Sequence, residues 1–217
     1  MAWTILFDYD GVIVNSDPFN KYALEQTFFS KNLPFNHDIY VEFFLGRTLT
    51  DGLNLYTKLY DSDEDIPSLI EDLIQKKKSF DKEYLNWIAP YEPTIKFLHK
   101  VRGKFILGLV TGSRWNMVSS ALNKFKIDGY FRVVVTAEDN CAGKPDPAPF
   151  LTALKRLEGV EKEATVIGDS PLDIKAAHSA KLPCIAVLNT HDRSQLADAD
   201  LIVSNLDKID LEQLAKM

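Results

Sequence analysis

Two aspartates stand two residues apart at the end of the chain's first apolar run, in Phe7-Asp8-Tyr9-Asp10-Gly11-Val12. A strand points alternate side chains to opposite faces, but where it unwinds into a glycine turn both carboxylates can face one cavity. One carboxylate can then bind a metal ion and attack phosphorus while the other transfers protons. Because aspartate and glycine are also common in ordinary turns, the pair alone leaves a purely structural role open.

The turn Thr111-Gly112-Ser113 follows a second apolar run and opens an apparent helix. A hydroxyl, a glycine without a side chain and the unpaired amides of a helix N-terminus can surround phosphate oxygens without steric conflict. The alternative is that Thr111 or Ser113 only caps the helix.

Lys144 lies in the segment Gly143-Lys144-Pro145-Asp146-Pro147, in which two prolines restrict the backbone. An ammonium group held there could neutralise a phosphoryl group and the nucleophile that bears it. The alternative is a solvated loop lysine, which is the usual state of this residue.

Two further carboxylates lie in Ile167-Gly168-Asp169-Ser170-Pro171-Leu172-Asp173. Asp169 follows a predicted strand, and Asp173 lies about one turn into the next predicted helix. Hard oxygen ligands of this kind suit Mg²⁺, which accepts only a few protein carboxylates and keeps several waters. Ser170 and Asp173 could instead cap the helix, and that arrangement is compatible with metal binding by Asp169.

Short, almost continuously apolar runs recur along the chain and alternate with helical patterns. This alternation is typical of a parallel sheet covered by helices on both faces, and it predicts a doubly wound, Rossmann-like α/β fold. Ligands of such a sheet bind beyond the carboxyl ends of its strands, which is where the segments above are expected to lie. The strands predicted after the first run cover residues 105–110, 133–136, 164–167, 183–187 and, more weakly, 201–203.

The interval from about residue 18 to residue 84 interrupts this alternation, because it has no convincing strand and shows helix-like apolar spacing. Leu53, Tyr56 and Leu59 illustrate the spacing, and residues 66–80 form a second amphipathic pattern. We therefore predict an all-helical cap domain, residues 17–85, inserted into an α/β core made of residues 1–16 and 86–217. The return through residues 89–93 carries two prolines that suit a hinge or linker.

The overall composition excludes some partners. A formal net charge of −6 argues against general affinity for nucleic acid or for anionic membranes, since both require a basic surface. The chain begins without a basic leader, and no apolar segment approaches the about 20 residues that span a bilayer. We therefore expect a cytoplasmic protein, with monomer or homodimer left undetermined. A small anionic substrate is still compatible with the net charge, since local Lys, Arg and metal matter more than net charge.

The order of these four segments resembles the haloacid dehalogenase (HAD) superfamily. The chain is similar in particular to members with a helical cap inserted after the first motif, such as phosphoglycolate phosphatase-like and β-phosphoglucomutase-like enzymes. The resemblance extends over nearly the whole chain. In the core it rests on the motifs, whereas in the cap it rests on architecture only.

The resemblance implies a role for each core residue. Asp8 is expected to be the nucleophile that forms an aspartyl phosphate, and Asp10 the acid/base that protonates the leaving oxygen and later activates water. Thr111 and Lys144 resemble the hydroxyl and the ammonium that hold the phosphate, and the substrate would also meet the turn residues Gly112 and Ser113.

The same resemblance implies Mg²⁺ as the only cofactor. Its ligands would be the carboxylates of Asp8 and Asp169 and the backbone carbonyl of Asp10. Asp173 would be either a partner of those ligands or a ligand through water.

Hydrolysis of a small phosphomonoester, such as a sugar phosphate or a phosphoglycolate-like acid, is the reaction we expect. Dehalogenation is disfavoured, because the resembling dehalogenases lack the second aspartate found here at Asp10. A phosphomutase of the β-phosphoglucomutase type remains the alternative: Val12 is common among mutase relatives, whereas Gly168 leans towards phosphatases. Asn20 occupies a region where the sugar mutase carries a histidine, which weakens the mutase alternative.

A phosphorylated receiver-like signalling domain is a less favoured alternative from another class. Receivers also combine an acceptor aspartate with a lysine on a parallel α/β core, but they lack an inserted helical cap and the Asp-x-Asp pair on the first strand.

Substrate specificity is expected from the cap, where Arg47 resembles a loop residue that reaches the substrate, and from Asn20. The fork geometry of Arg47 suits a carboxylate or a second phosphate.

Overall fold

The computed structural model describes residues 3–44, 49–60, 64–139, 141–157 and 164–214. Contacts between Cα atoms divide the chain into two compact units. The first, here called the α/β unit, comprises Met1–Asn15 and Ala89–Met217. The second, the helical unit, comprises Ser16–Ile88.

The strands of the described chain belong to one large sheet and one short ladder. In chain order they are β1 (Thr4–Phe7), β2 (Val14–Asn15), β3 (Ala89–Pro90), β4 (Ile106–Val110), β5 (Val133–Val135), β6 (Ala164–Gly168), β7 (Cys184–Val187) and β8 (Leu201–Val203).

The large sheet has six parallel strands in the order β5-β4-β1-β6-β7-β8. The predicted doubly wound α/β fold is thereby confirmed, and each predicted strand is present with ends that differ by about a residue. Strands β4 and β5 lie on one side of β1 while β6, β7 and β8 lie on the other. The strand order therefore reverses at β1, and this switch point is where doubly wound sheets bind ligands.

Continuous burial explains why the strands read as unbroken apolar runs. All four residues of β1 and all five residues of β6 are buried. Helices pack on the sheet and bury its faces against a core that includes Phe150, Val166 and Ile174. A strand covered on both faces has no solvent-facing side for polar residues. Apolar and polar residues therefore do not alternate along these strands.

The described chain also contains ten α-helices. They are α1 (Asp17–Ser30), α2 (His37–Ile39), α3 (Leu49–Leu59), α4 (Ile66–Ser79), α5 (Tyr84–Trp87), α6 (Glu92–Val101), α7 (Trp115–Lys124), α8 (Ala148–Arg156), α9 (Pro171–Ser179) and α10 (Leu211–Leu214). None of these described helices combines the length and the apolar character that crossing a bilayer requires.

The helical unit has its own aromatic core, as its spacing of apolar residues predicts. Phe28 lies edge-on to the ring of Tyr56, with the centroids 4.8 Å apart, and Leu53 is buried in the same cluster. Leu59, which shows the same spacing, lies in the helix as predicted but is 64% exposed. Residue 59 is the last of α3, so the helical pattern runs beyond the part of the helix that packs.

The return to the α/β unit differs from a simple linker. Ala89–Pro90 pairs antiparallel with Val14–Asn15, and α6 begins two residues later at Glu92. A two-residue ladder carries no periodicity in sequence, so only the prolines marked this segment.

Candidate active site

Three of the predicted chemical segments leave adjacent strands of the sheet at the same edge. The N–H of Asp8 donates to Ile167 O at 2.9 Å, which continues the pairing of β1 with β6 by one residue. The N–H of Thr111 likewise donates to Val135 O at 2.9 Å beyond the end of β4. Asp169 directly follows β6. The parallel sheet therefore brings these three residues to the switch point.

Two glycines allow the chain segments to approach each other. Gly11 has a φ of +79°, and a Cβ atom placed there would lie 2.0 Å from Asp169 Oδ2. A Cβ atom at Gly168 would lie 2.4 Å from the Cβ of Asp173. Any side chain at either position would displace a carboxylate of the site.

Lys144 is enclosed by carboxylates rather than solvated, so the loop-lysine alternative is not what the structure contains. Its Nζ donates to Asp8 Oδ1 at 2.7 Å and to Asp173 Oδ1 at 2.6 Å. The lysine side chain is only 13% exposed. The ammonium group is thus held at a fixed position beside the carboxylate of Asp8.

Asp173 both caps α9 and orients Lys144. Ser170 and Asp173 form a reciprocal capping box, which is the capping arrangement considered from the sequence. Asp173 Oδ2 accepts from the Ser170 hydroxyl at 2.5 Å and from the Asp169 N–H at 3.3 Å. Both oxygens of this buried carboxylate are therefore engaged, one by the turn after β6 and one by Lys144.

Ser113 contacts Asp10 instead of capping the following helix. Its Oγ donates to Asp10 Oδ2 at 2.6 Å, and Thr111 Oγ1 lies 3.4 Å from the same oxygen. The first N–H of α7, that of Trp115, donates to Glu138 Oε2 at 3.0 Å. The Thr-Gly-Ser turn is thus built around the second aspartate of the first motif.

A cavity of about 480 Å³ opens within the α/β unit beside these groups. Asp169 and Ser113 are not among the residues that line it, although both contact residues at the site. The predicted site residues on its wall are Asp8, Asp10, Thr111, Gly112, Lys144 and Asp173.

Burial and crowding of carboxylates perturb the charges of the site. Burial, and then repulsion by Asp173, raise the pKa of Asp8 to about 7, although Lys144 acts in the opposite direction. Burial, Asp173 and Asp8 likewise raise the pKa of Asp169 well above its usual range. Burial alone would lower the pKa of Lys144, but Asp173 and Asp8 outweigh it and raise that pKa.

These carboxylates fit a metal ion. Asp8, Asp169 and Asp173 each offer an oxygen, and the three oxygens lie within 4.8 Å of one another. Burial raises the pKa values of Asp8 and Asp169, and the neighbouring carboxylates raise them further. One ammonium group cannot neutralise three carboxylates, so a cation would relieve the remaining repulsion. Buried carboxylates that crowd together in this way are suitable ligands for a hard divalent cation.

Two residues at the site have no counterpart in the sequence expectations. Asn189 and Thr190 follow β7, and their side chains contact Gly11 O and Asp169. The signal that could have found them is their place after the strand next to β6, at the carboxyl edge of the sheet.

The predicted specificity residues, Arg47 and Asn20, belong to the helical unit. Arg47 falls outside the described residues. Asn20 lies in α1 of the helical unit, where its Oδ1 accepts from Lys77 Nζ at 2.7 Å. Both assignments remain predictions.

Comparison with known proteins is consistent with this architecture. Validoxylamine A 7'-phosphate phosphatase of Streptomyces hygroscopicus subsp. limoneus is 27% identical over 205 residues, which is 94% of each chain. Phosphoglycolate phosphatase of Salmonella typhimurium is 28% identical and matches 94% of this chain and 90% of its own.

Solved structures share the fold. The crystal structure of a predicted phosphoglycolate phosphatase from Haemophilus somnus superposes with a TM-score of 0.81 at 23% identity, over 98% of this chain and 97% of that one. The family model for haloacid dehalogenase-like hydrolases matches residues 5–187. The chain therefore belongs to the haloacid dehalogenase-like hydrolase family, and the prediction that it is a hydrolase of this kind is confirmed.

Proposed function

We propose that the protein is a Mg²⁺-dependent phosphatase that hydrolyses a small phosphomonoester through an aspartyl phosphate on Asp8. The observation that carries this proposal is the pairing of Asp8 with Lys144 at 2.7 Å on the wall of a cavity that Asp10 and Thr111 also line. The two curated relatives described above are phosphatases of small phosphorylated compounds, which supports the same reaction class.

Asp8 acts as the nucleophile in this mechanism. Lys144 holds Oδ1, so the carboxylate is oriented before the substrate arrives. A bond forms between an Asp8 oxygen and phosphorus while the bond from phosphorus to the leaving alcohol oxygen breaks. The electron pair of the broken bond goes to that oxygen.

Asp10 transfers the protons of both steps. It protonates the departing alcohol oxygen as a carboxylic acid, and as a carboxylate it then takes a proton from the water that attacks the aspartyl phosphate. Attack by water at phosphorus releases inorganic phosphate and restores the Asp8 carboxylate. The hydroxyl of Ser113, 2.6 Å from Asp10 Oδ2, keeps this carboxyl group in place.

Lys144, Thr111 and the amide of Gly112 bind the oxygens of the transferring phosphoryl group. Fixed donors of this kind stabilise negative charge that develops in the transition state, which is the main form of catalysis in phosphoryl transfer. Lys144 is suited to this role because Asp173 holds it from the other side, at 2.6 Å.

Mg²⁺ would be held by the carboxylates of Asp8 and Asp169 and by the backbone carbonyl of Asp10. When bound, the ion neutralises charge on the phosphoryl oxygens. Asp173 is the weaker candidate as a ligand, because its two oxygens already accept hydrogen bonds from Lys144 and Ser170.

Substrate choice is assigned to the helical residues 17–85, which we propose act as a cap domain, with Arg47 and Asn20 as its contacts to the leaving group. A phosphomutase remains the second candidate, because it would pass through the same aspartyl phosphate and because Val12 is typical of mutase relatives. The two differ in whether water or a sugar accepts the phosphoryl group.

The test is phosphate release from a panel of sugar phosphates and phosphoglycolate, with and without Mg²⁺. The native protein should turn over many times with Mg²⁺, and Asp8→Asn should abolish release. Asp128→Asn is the matched control, since it makes the same change at an exposed carboxylate of the same unit. Conversion of a hexose 1-phosphate to its 6-phosphate without net release would favour the mutase, and no phosphoryl transfer at all would contradict both.

A further inference from the structure

We propose that Asn189 and Thr190 form a clamp that positions the Asp169 carboxylate and the Gly11 turn for metal binding. We call these two residues the β7 clamp. The inference rests on the proposed function in one respect, since it takes Asp169 to be a ligand of the ion. It assigns a positioning role to a loop that contains none of the family motifs identified above.

The end of β7 directs the clamp toward the site. Strand β7 pairs parallel with β6, with Gly168 opposite Ala186, so both chains leave the sheet at the same edge. The N–H of Asn189 then donates back to Val187 O at 2.9 Å, which closes a three-residue turn directly after the strand. The turn brings the next side chains over the carboxyl end of β6.

Asn189 fixes the turn of the first motif. Its Nδ2 donates to the backbone carbonyl of Gly11 at 2.7 Å. A Cβ atom at Gly11 would lie 2.0 Å from Asp169 Oδ2, so this turn packs directly against the carboxylate. The carbonyl that Asn189 holds is one peptide unit beyond that of Asp10, the proposed backbone ligand.

Thr190 fixes the orientation of the Asp169 carboxylate. Its hydroxyl hydrogen-bonds Asp169 Oδ2 and lies 3.4 Å from the carbonyl oxygen of the same residue. A hydroxyl has a single proton, and the carboxylate that binds a cation is ionised and only accepts, so Thr190 donates to Asp169. It can then accept from His191 Nδ1, which lies 2.8 Å away.

The consequence is a carboxylate with one oxygen restrained and the other left for the ion. Among the described residues, the hydrogen bonds to the Asp169 side chain reach Oδ2 and none reaches Oδ1. Partners that orient metal ligands in this way typically change metal affinity by about 10- to 100-fold when removed. The clamp is therefore expected to set the affinity for the cation, apart from any effect on folding.

The test compares Thr190→Val, which keeps the shape and removes the hydroxyl, with Thr190→Ser, which keeps the hydroxyl. Titration calorimetry with Mg²⁺ alone, without substrate, should give a Kd raised about tenfold or more for Thr190→Val and within about threefold of native for Thr190→Ser. Thr57→Val is the matched control, because its hydroxyl bonds only to carbonyls of its own helix, Leu53 O and Asn54 O. It should leave the Kd unchanged.

A Thr190→Val protein that binds Mg²⁺ like the native protein would overturn the clamp, even if its melting temperature were lower. If this variant does not fold, Asn189→Leu provides the same comparison, since the loss of its bond to Gly11 should also raise the Kd. A native protein that binds no Mg²⁺ would overturn the inference as well. Mg²⁺ binding by a native protein that releases no phosphate would count against the proposed function alone, because the binding assay does not depend on turnover.

Discussion

Lys144 and Asp10 contact different neighbours, as their different proposed roles require. Lys144 is proposed to stabilise charge on the phosphoryl group, and Asp10 to transfer protons. Lys144 lies between two carboxylates, so its charge is retained although its side chain is only 13% exposed. Asp10 is half-buried and contacts the hydroxyls of Ser113 and Thr111. Removing Lys144 alone would leave buried carboxylates without their cation, so that substitution should destabilise the fold around the site.

The role of Asp10 predicts different effects on the two chemical steps. With an alkyl phosphate, Asp10→Asn should lower kcat by about 10²- to 10⁴-fold, because the leaving oxygen needs a proton. With p-nitrophenyl phosphate the leaving group departs without one, so the variant should release a rapid burst of nitrophenolate followed by slow turnover. Stopped-flow absorbance measures both phases. Equal slowing of the burst and of the steady state would contradict the assignment.

The raised pKa of Asp8 predicts a pH dependence of stability in the metal-free protein. A carboxyl group whose pKa is higher in the folded protein than in the unfolded chain binds more protons when folded, so stability falls as pH rises. The free energy of unfolding should fall between about pH 4, the usual carboxyl pKa, and about pH 7, the pKa of Asp8 in the folded protein. Urea denaturation in EDTA at several pH values measures it. Asp8→Asn should flatten this part of the profile, and a profile unchanged by the substitution would contradict the cause given.

Sequence could identify these residues by type and position but not by partner. Asp8, Thr111 and Asp169 stand in recognisable segments at strand ends, so their convergence followed from the parallel sheet. Lys144 reaches the site from the loop before α8. The bond from Ser113 to Asp10 spans 103 residues, and that from Asn189 to Gly11 spans 178. Such contacts depend on rotamers and on loop geometry, which no local pattern encodes.

Close packing between β6 and α9 fixes the geometry of the site at the scale of elements. Asp173, in the first turn of α9, lies directly against Gly168, the last residue of β6. The capping box then ties Ser170 to Asp173. A helix start in this position delivers a carboxylate to Lys144 without a long loop.

Gly168→Ala should therefore lower the free energy of unfolding. The added methyl would lie 2.4 Å from Asp173 Cβ, and overpacking of this kind costs about 1 to 3 kcal/mol. Gly129→Ala is the matched control, because nothing lies within 4 Å of the Cβ position there. Urea denaturation of both variants is the measurement, and equal stability of Gly168→Ala and the native protein would contradict the packing argument.

Helices and strands were predictable where burial of one or both faces imposes a regular pattern of apolar residues on the sequence. The apolar runs identified the six strands of the sheet, and residues 66–80 predicted α4 (Ile66–Ser79) closely. Helical spacing predicted the helix that contains Leu59 but did not distinguish this exposed residue from the buried Leu53. The pairing of β2 with β3 was missed because two-residue strands have no period.

At the scale of the whole molecule, the chain separates a motif-bearing α/β unit from a helical unit with its own core. The chemistry assigned here belongs to the first unit. The second contains no family motif, and its proposed role in selecting the substrate is a prediction from architecture. This division explains why the reaction class was easier to predict than the substrate.

Metal binding should stabilise the α/β unit as a whole. A ligand that binds only the folded state at 100 times its Kd adds about 2.7 kcal/mol, and each kcal/mol raises Tm by about 2 to 4 °C in a chain of this size. Differential scanning calorimetry should show this rise with Mg²⁺ and not with NaCl of equal ionic strength. Asp169→Asn should remove most of the rise, and a Mg²⁺ effect that survives the substitution would contradict the assigned ligand set.

Covalent phosphorylation of Asp8 is the central claim, and mass spectrometry of an acid-quenched reaction tests it most directly. Asp10→Asn with p-nitrophenyl phosphate and Mg²⁺ should accumulate one phosphoryl group on the peptide that contains Asp8, because hydrolysis of the intermediate needs the Asp10 carboxylate. The double variant with Asp8→Asn should carry none. A nitrophenolate burst without phosphate on that peptide, or with phosphate on another residue, would contradict the mechanism.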